Sequence, residues 1–429
     1  MISDQRPSWR QRLLTALACG VWFNLIYHLT SWYASIAPQR GRFYSDWELA
    51  IPRIDAFIVP YQSIDLLFVA AFLCCRTRTD LAALAGRVVL AAAVAGTCFL
   101  AWPLDLGHTR AVGDGPFAPL FAALYACDRP YNLFPSLHVT FVVILRWSFA
   151  RSLDGWKRTA MHVWLALVTC STLLVHQHHL ADVVGGASLG LLACYLVDGH
   201  ALPAVRVVAT RAALRLAAAH GLAAAACLAG AAIGQGWWWL LLWPAVALAV
   251  VALGHAGLGS AVLAPRAEGP SLAARIVLLP WLAAVRWSRR PWWWRAEPPT
   301  AVADGVWVGR IHEAGAWRGT VIDCTSEHRR RLPAAGRHQR LPLWDLGMPD
   351  AATLAAAADA VEAARAHGPV LVCCALGRGR SALVAASWLV RSGRAAGADA
   401  ALAQVRRSRP WITPAAGARR ALEELAGKG

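Results

Sequence analysis

Eight apolar runs in the first 257 residues constrain this chain more than any other feature. They cover roughly 13–36, 57–75, 86–104, 136–150, 160–178, 182–199, 214–234 and 237–257. A helix needs about 20 largely apolar residues to cross a bilayer. In hydrocarbon the backbone must satisfy its own hydrogen bonds, which a helix does. The runs therefore predict a multi-pass α-helical membrane bundle over residues 1–257. Eight spans are expected. Six or seven remain open, because 136–150 is short and holds Arg146, and 205–234 is Ala-rich and only weakly hydrophobic. The chain is 57% hydrophobic and 16% charged, against about 25% charged in ordinary soluble domains, and so apolar a chain is not a disordered one.

The net charge is +17, which suits either a nucleic-acid binder or a membrane protein. The placement of the charges separates the two. With the N-terminus inside, the inner loops carry twelve basic residues: Arg6, Arg10, Arg12, Arg76, Arg78, Arg87, Arg151, Lys157, Arg158, Arg206, Arg211 and Arg215. The outer loops carry five: Arg40, Arg42, Arg53, Arg110 and Arg129. This is the bias of the positive-inside rule. It predicts a bacterial-type inner-membrane protein with cytoplasmic N- and C-termini and no nucleic-acid partner. No small-residue cleavage site follows the first apolar run, so no removed signal peptide is expected. Most of the eleven cysteines sit singly in apolar runs, and no Cys/His spacing resembles a metal site.

Composition shifts after residue 257. Residues 258–297 read as a linker in which Arg275, Arg286, Arg289 and Arg290 alternate with Trp281, Trp287 and the run at 292–294. Arginine interleaved with tryptophan suits a segment lying against an anionic leaflet. Pro280 is expected to interrupt its only candidate helix. Residues 298–429 read as a soluble α/β domain. Strands are expected at 305–309 and 320–323, a helix at 351–367, a strand at 370–373 and a helix at 381–392. A strand, a Gly/Arg loop and a helix N-terminus in succession form a ready phosphate site.

Two segments of the membrane half carry chemistry. One runs from Asp128 and Arg129 through Phe134, Pro135, Ser136 and Leu137 to His138. The other holds Gln177, His178, His179 and Asp182, followed by Gly185 and Gly186. In the topology above both lie at the outer ends of spans. An imidazole can attack phosphorus, with a carboxylate on its other nitrogen to fix the tautomer. His178 and Asp182, four apart, share a helix face. His138 can protonate the leaving oxygen. Arg129 and the helix start at Ser136 can hold phosphate oxygens. His179, three residues from Asp182, is an alternative nucleophile.

These residues resemble the type-2 phosphatidic acid phosphatase superfamily, and most closely its inositol-phosphorylceramide-synthase-like branch, over about residues 45–200. The resemblance implies His178 as nucleophile, Asp182 as its partner, His138 as general acid and Arg129 as phosphate ligand. Ala122 stands where the superfamily has a phosphate-binding lysine. Ser171 and Thr172 stand where it has Ser-Arg. Both departures fit the branch that transfers lipid headgroups.

In the tail, Cys374 is followed by Ala375, Leu376, Gly377, Arg378, Gly379, Arg380 and Ser381. A thiolate at the base of such a loop can attack phosphorus. The backbone N–H groups of 375–380 point at phosphate oxygens, and Arg380 grips two of them. The helix start favours the thiolate, and Ser381 can hydrogen-bond the departing sulfur. This resembles the protein-tyrosine and dual-specificity phosphatase signature, over roughly 298–425 and including Arg409-Pro410. The resemblance implies an upstream general-acid aspartate. Asp345, twenty-nine residues before Cys374, is chosen, with Asp350 in reserve. Cys373 replaces the family's histidine. Arg378 supplies an extra loop charge and resembles lipid-directed members.

The expectation is a membrane phosphatase or phosphotransferase acting on phospholipid or lipid-phosphate substrates. It would carry an outward histidine site and a cytoplasmic cysteine site, and use no metal or organic cofactor. The alternatives are a signalling or phosphoinositide phosphatase anchored by its membrane half, and a lipid-binding scaffold with a degenerate tail.

Overall fold

The computed structural model describes residues 5–234, 236–293, 298–329 and 337–427. Trp294, last of the tryptophan run, lies outside them. The chain forms two compact units, Met1–His200 and Ala201–Gly429. The division falls inside the stretch read from sequence as a single membrane domain.

Among its described residues the first unit holds seven α-helices: α1 (Trp9–Ile36), α2 (Ile58–Leu73), α3 (Arg78–Ala101), α4 (Ala118–Cys127), α5 (Leu137–Ser152), α6 (Gly155–Leu174) and α7 (Leu180–Leu196). Side-chain caps fix several of the starts. Ser8 and Gln11 form a capping box on α1, and Thr77 and Asp80 form another on α3. Gly186 and Gly190 let α7 lie directly on α5. A Cβ at Gly186 would meet the Ser136 carbonyl oxygen at 2.3 Å, and one at Gly190 would meet Val143 at 2.7 Å. Small residues four apart allow such close backbone approach. Thr140 Oγ1 then donates to the Gly186 carbonyl at 3.0 Å. This contact brings the segment before His138 beside the segment before Asp182.

The second unit opens with α8 (Arg211–Ile233) and α9 (Leu242–Leu253), followed by a short hairpin, β1 (Pro265–Arg266) and β2 (Gly269–Pro270), and by α10 (Leu272–Val277) and α11 (Leu279–Trp293). The helical stretch breaks at Leu278, just before Pro280, into α10 and α11. Pro280 falls in the first turn of α11, where its missing N–H removes no helical bond.

Among the described residues, five helices are long and apolar enough to cross a membrane, not eight. They are Trp9–Ile36, Asp55–Leu73, Arg78–Ala101, Arg211–Ile233 and Trp238–Leu263. Of the other runs, α5 has 16 residues and contains Arg146, α7 has 17, and α6 opens on a turn holding Lys157 and Arg158.

The sheet of the second unit has the order β3-β4-β7-β5-β6, from β3 (Thr300–Ala303), β4 (Val306–Arg310), β5 (Thr320–Thr325), β6 (His338–Leu343) and β7 (Val370–Cys374). Only the β3–β4 pair is antiparallel. Helices α12 (Ala351–Arg365), α13 (Arg380–Arg391), α14 (Ala398–Ser408) and α15 (Ala418–Ala426) complete the unit. Central β7 is buried along its whole length, as the apolar run VLVCC requires of a strand with parallel neighbours on both sides. Its C-terminal end delivers Cys374 into the loop before α13. β3, β6, α14 and α15 were not anticipated.

An apolar cluster joins the helices of this unit to its sheet. Val207, Val251 of α9, Leu263, Leu278 and Trp281 of α11 pack with Trp344, which follows β6.

Candidate active site

Cys374 ends β7 and Arg380 begins α13, so residues 375–379 must reverse the chain within five residues. Gly377 makes this possible. Its φ is +68°, and a Cβ there would lie 2.7 Å from the Gly309 carbonyl oxygen and 2.9 Å from the Arg409 guanidinium. Arg409 is buried beneath the loop and donates to the carbonyls of Pro298 and Val308 at 3.2 and 3.3 Å. Arg378 is tied through its carbonyl, which accepts from Thr413 N at 2.9 Å.

Cys374 Sγ lies 3.2 Å from Ser381 Oγ. Burial alone would push its thiol up, but the Arg380 charge and hydrogen bonds from Ser381 outweigh it, so the thiol sits below its ordinary value. Cys373 points to the other face of the sheet, among Ile311, Ala314, Val321 and Leu371. The alternation of a strand separates the two neighbouring thiols.

Arg380 is buried and fully committed at its two terminal nitrogens. Nη1 and Nη2 donate to the two carboxylate oxygens of Glu327 at 2.7 Å each, and Nη1 also donates to the Leu343 carbonyl. Its Nε is buried without a hydrogen bond and lies 3.4 Å from Asp345 Oδ1. Burial disfavours the charges on both Arg380 and Glu327, but each holds the other ionised. Asp345 Oδ2 accepts from Arg289 Nη2 at 2.6 Å, and Arg289 Nη1 donates to Glu327 at 2.8 Å. Cys374, Arg380, Ser381 and Asp345 are thus brought together. Asp350, held in reserve, is the N-cap of α12 and accepts from Thr353 N at 2.8 Å. It serves the helix end rather than the loop.

Glu327 and Arg289 were not found from sequence. Glu327 could have been, since it follows β5, next to β7, at the carboxyl edge where ligands of parallel sheets gather. Arg289 gave no signal apart from the other linker arginines.

In the first unit, His178 Nδ1 lies 3.5 Å from Asp182 Oδ2, without a hydrogen bond to any group. The His138 ring is 6.1 Å from that of His178 and stacks on Tyr61 at 4.0 Å. Ser136 caps α5 through Val139 N at 3.4 Å. His179 is occupied elsewhere: Nε2 contacts the Leu106 carbonyl at 2.6 Å, Nδ1 faces Glu48 at 3.7 Å, and the ring stacks on Tyr44. Arg129 does not join this group. It is turned to Ser35 Oγ at 3.0 Å. Arg110, read from sequence only as a loop charge, stands nearer. It donates to the Asp128 carbonyl, the Asp128 carboxylate and Gln177 Oε1 at 2.6, 3.1 and 2.9 Å. No group of three or more His, Cys, Asp or Glu residues among the described ones could hold a metal ion.

No family model and no curated protein matches the chain. Solved structures do. One is a mouse protein described as a dual specificity phosphatase, complexed with zinc tungstate, at 28% identity over 31% of this chain and 90% of that one, with a TM-score of 0.28. Human DUSP28 matches at 27% identity over 30% of this chain and 96% of that one, TM-score 0.27. PTPMT1 in complex with PI(5)P matches at 20% identity over 31% and 96%, TM-score 0.28. The similarity found is to phosphatases of the dual-specificity and protein-tyrosine type. No family model or curated protein supports the type-2 phosphatidic acid phosphatase resemblance of the first unit. At these TM-scores the likeness decides nothing about chemistry, which rests on the loop around Cys374.

Proposed function

We propose that this chain is a membrane-associated, cysteine-dependent phosphatase whose second unit hydrolyses phosphate monoesters, with lipid phosphates as its substrate class. The observation that carries the reading is the Cys374–Ser381 contact at 3.2 Å, closed over by a buried Arg380 whose Nε has no hydrogen bond. In this reading the Cys374 thiolate attacks phosphorus, and the loop N–H groups and Arg380 Nε stabilise the charge on the phosphoryl oxygens. Asp345 gives a proton to the departing alcohol. Water then attacks the cysteinyl phosphate while Asp345 takes its proton, and Ser381 stabilises the sulfur as it leaves. A lipid substrate is supported by the five helices able to cross a bilayer and by Arg378 within the loop, an added cation for a multiply charged headgroup.

A second reading adds a histidine centre in the first unit, with His178 as nucleophile, Asp182 as its partner and His138 as acid. The 3.5 Å approach of His178 to Asp182 favours it. The test of both is the purified chain in detergent, assayed on an aryl phosphate and on a panel of lipid phosphates and phosphoinositides with and without an added alcohol. Cys374→Ser should abolish aryl-phosphate hydrolysis. His178→Ala should spare it and remove any lipid-phosphate turnover that survives in Cys374→Ser. Retention of aryl-phosphate hydrolysis by Cys374→Ser would sink the first reading. A wild-type chain that binds lipid phosphates without turning them over would be a scaffold.

A further inference from the structure

We propose that Arg289 is a positioning residue for Asp345, so that the acid of the cysteine site is held by the helices preceding the sheet. This rests on the phosphatase reading and adds a part to it. Arg289 belongs to α11, and although its helical neighbours Trp287 and Arg290 are exposed, Arg289 itself is buried. An arginine is buried where its charge is matched. Here the match is the pair of acids around Arg380. Arg289 Nη2 binds Asp345 Oδ2 at 2.6 Å, and Nη1 binds Glu327 Oε1 at 2.8 Å. One oxygen of Asp345 is thereby fixed. The other, Oδ1, is left 3.4 Å from Arg380 Nε, beside the donor assigned to phosphate, where a leaving-group oxygen would lie.

A second contact acts on the same loop. Trp344, next to Asp345, is buried and stacks on Trp281 of α11 with centroids 5.5 Å apart and planes 9° from parallel. Its Nε1 donates to His255 Nδ1 at 3.2 Å, just beyond α9. Gly254 gives the indole room, since a Cβ there would lie 2.8 Å from the ring. The residue after Asp345, Leu346, has φ +57°, a conformation uncommon for a leucine. The acid loop is thus held from α11 by an ion pair and a ring stack, and from the end of α9 by a hydrogen bond. Misplacing a catalytic group by about 1 Å can cost roughly 100-fold in rate.

The test compares aryl phosphates with good and poor leaving groups, using the full chain in detergent. A good leaving group departs without a proton, whereas a poor one needs the acid. Asp345→Asn sets the benchmark in kcat/KM, which reports only the steps up to formation of the cysteinyl phosphate, with a loss of roughly 100-fold or more on phenyl phosphate and a small loss on 2,4-dinitrophenyl phosphate. Arg289→Met should reproduce that pattern in kcat/KM, losing roughly 10- to 100-fold on phenyl phosphate. On the dinitrophenyl ester it should stay within about threefold, which also reports an intact fold. Arg289→Lys should recover part of the loss, because one donor can still reach Asp345. Equal losses on both esters, or no loss on either, would overturn the proposal. If Asp345→Asn itself shows no leaving-group dependence, the assignment of the acid fails. If Cys374→Ser keeps activity, the phosphatase reading fails.

Discussion

Glu327 holds Arg380 by both carboxylate oxygens, each 2.7 Å from a terminal guanidinium nitrogen. The pair is nearly sealed from solvent, with side chains 3% and 5% exposed. Its geometry leaves only the Nε edge of the guanidinium turned toward Asp345 and the loop.

Removing one partner of a buried ion pair leaves the other charge uncompensated, at a cost of about 3–5 kcal/mol. Glu327→Ala should therefore lower the thermal midpoint of the purified chain markedly and weaken vanadate or phosphate binding. Glu327→Gln, which keeps one acceptor, should do less of both. An Ala variant that melts with the wild type would contradict the account.

The pH dependence of Cys374 follows from its surroundings. Its thiol lies below the ordinary value because Arg380 and Ser381 outweigh burial, so the thiolate is populated above that depressed pKa and lost as pH falls through it. Alkylation by iodoacetamide should then show a midpoint below that of a free cysteine. Ser381→Ala should move the midpoint upward and slow breakdown of the cysteinyl phosphate, seen as an initial burst. A midpoint that does not move would remove Ser381 from this role.

Gly377→Ala combines a positive φ with a Cβ 2.7 Å from a backbone oxygen. Strain of this kind is on the order of 1–3 kcal/mol, and relief by shifting the loop should cost roughly 100-fold in kcat/KM. Gly397→Ala, where a Cβ meets only open space, is the control and should leave activity near wild type. Similar rates for the two variants would show that the loop has slack.

In the first unit, the contacts of Arg110 and Arg129 predict unequal effects. In a Cys374→Ser background, Arg110→Ala should reduce any remaining lipid-phosphate turnover far more than Arg129→Ala, since Arg110 bonds Asp128 and Gln177 while Arg129 bonds Ser35. A larger loss at Arg129 would restore it as the phosphate ligand.

Much of the cysteine site was legible because it is local. Strand β7, the glycine-bearing loop and the start of α13 are contiguous, and their spacing alone places Cys374, Arg380 and Ser381 together. Asp345 came only from family resemblance, and the structure brings it to Arg380. The pairings of Glu327 and Arg289 were not legible, because their partners are 53 and 56 residues away; only the place of Glu327 after β5 offered a signal. In the first unit, the close packing of α5 on α7 follows from Gly186 and Gly190. Arg129 and Arg110, by contrast, both lie in loops between helices, and only tertiary structure distinguishes them. Among the described residues five helices, rather than eight, are long and apolar enough to cross a membrane, because apolar content overstated runs such as 160–178, whose helix begins with charged residues.

The apolar seam around Trp344 and Trp281 bears on how such a protein can be dissected and how it can evolve. The catalytic half is not an interchangeable cartridge. Cut near residue 298, it would expose the Trp344 indole and strip Asp345 of Arg289, so the fragment should be both sticky and poor at expelling difficult leaving groups. A lineage that moved this phosphatase to a new anchor would have to carry α8 through α11 along with it.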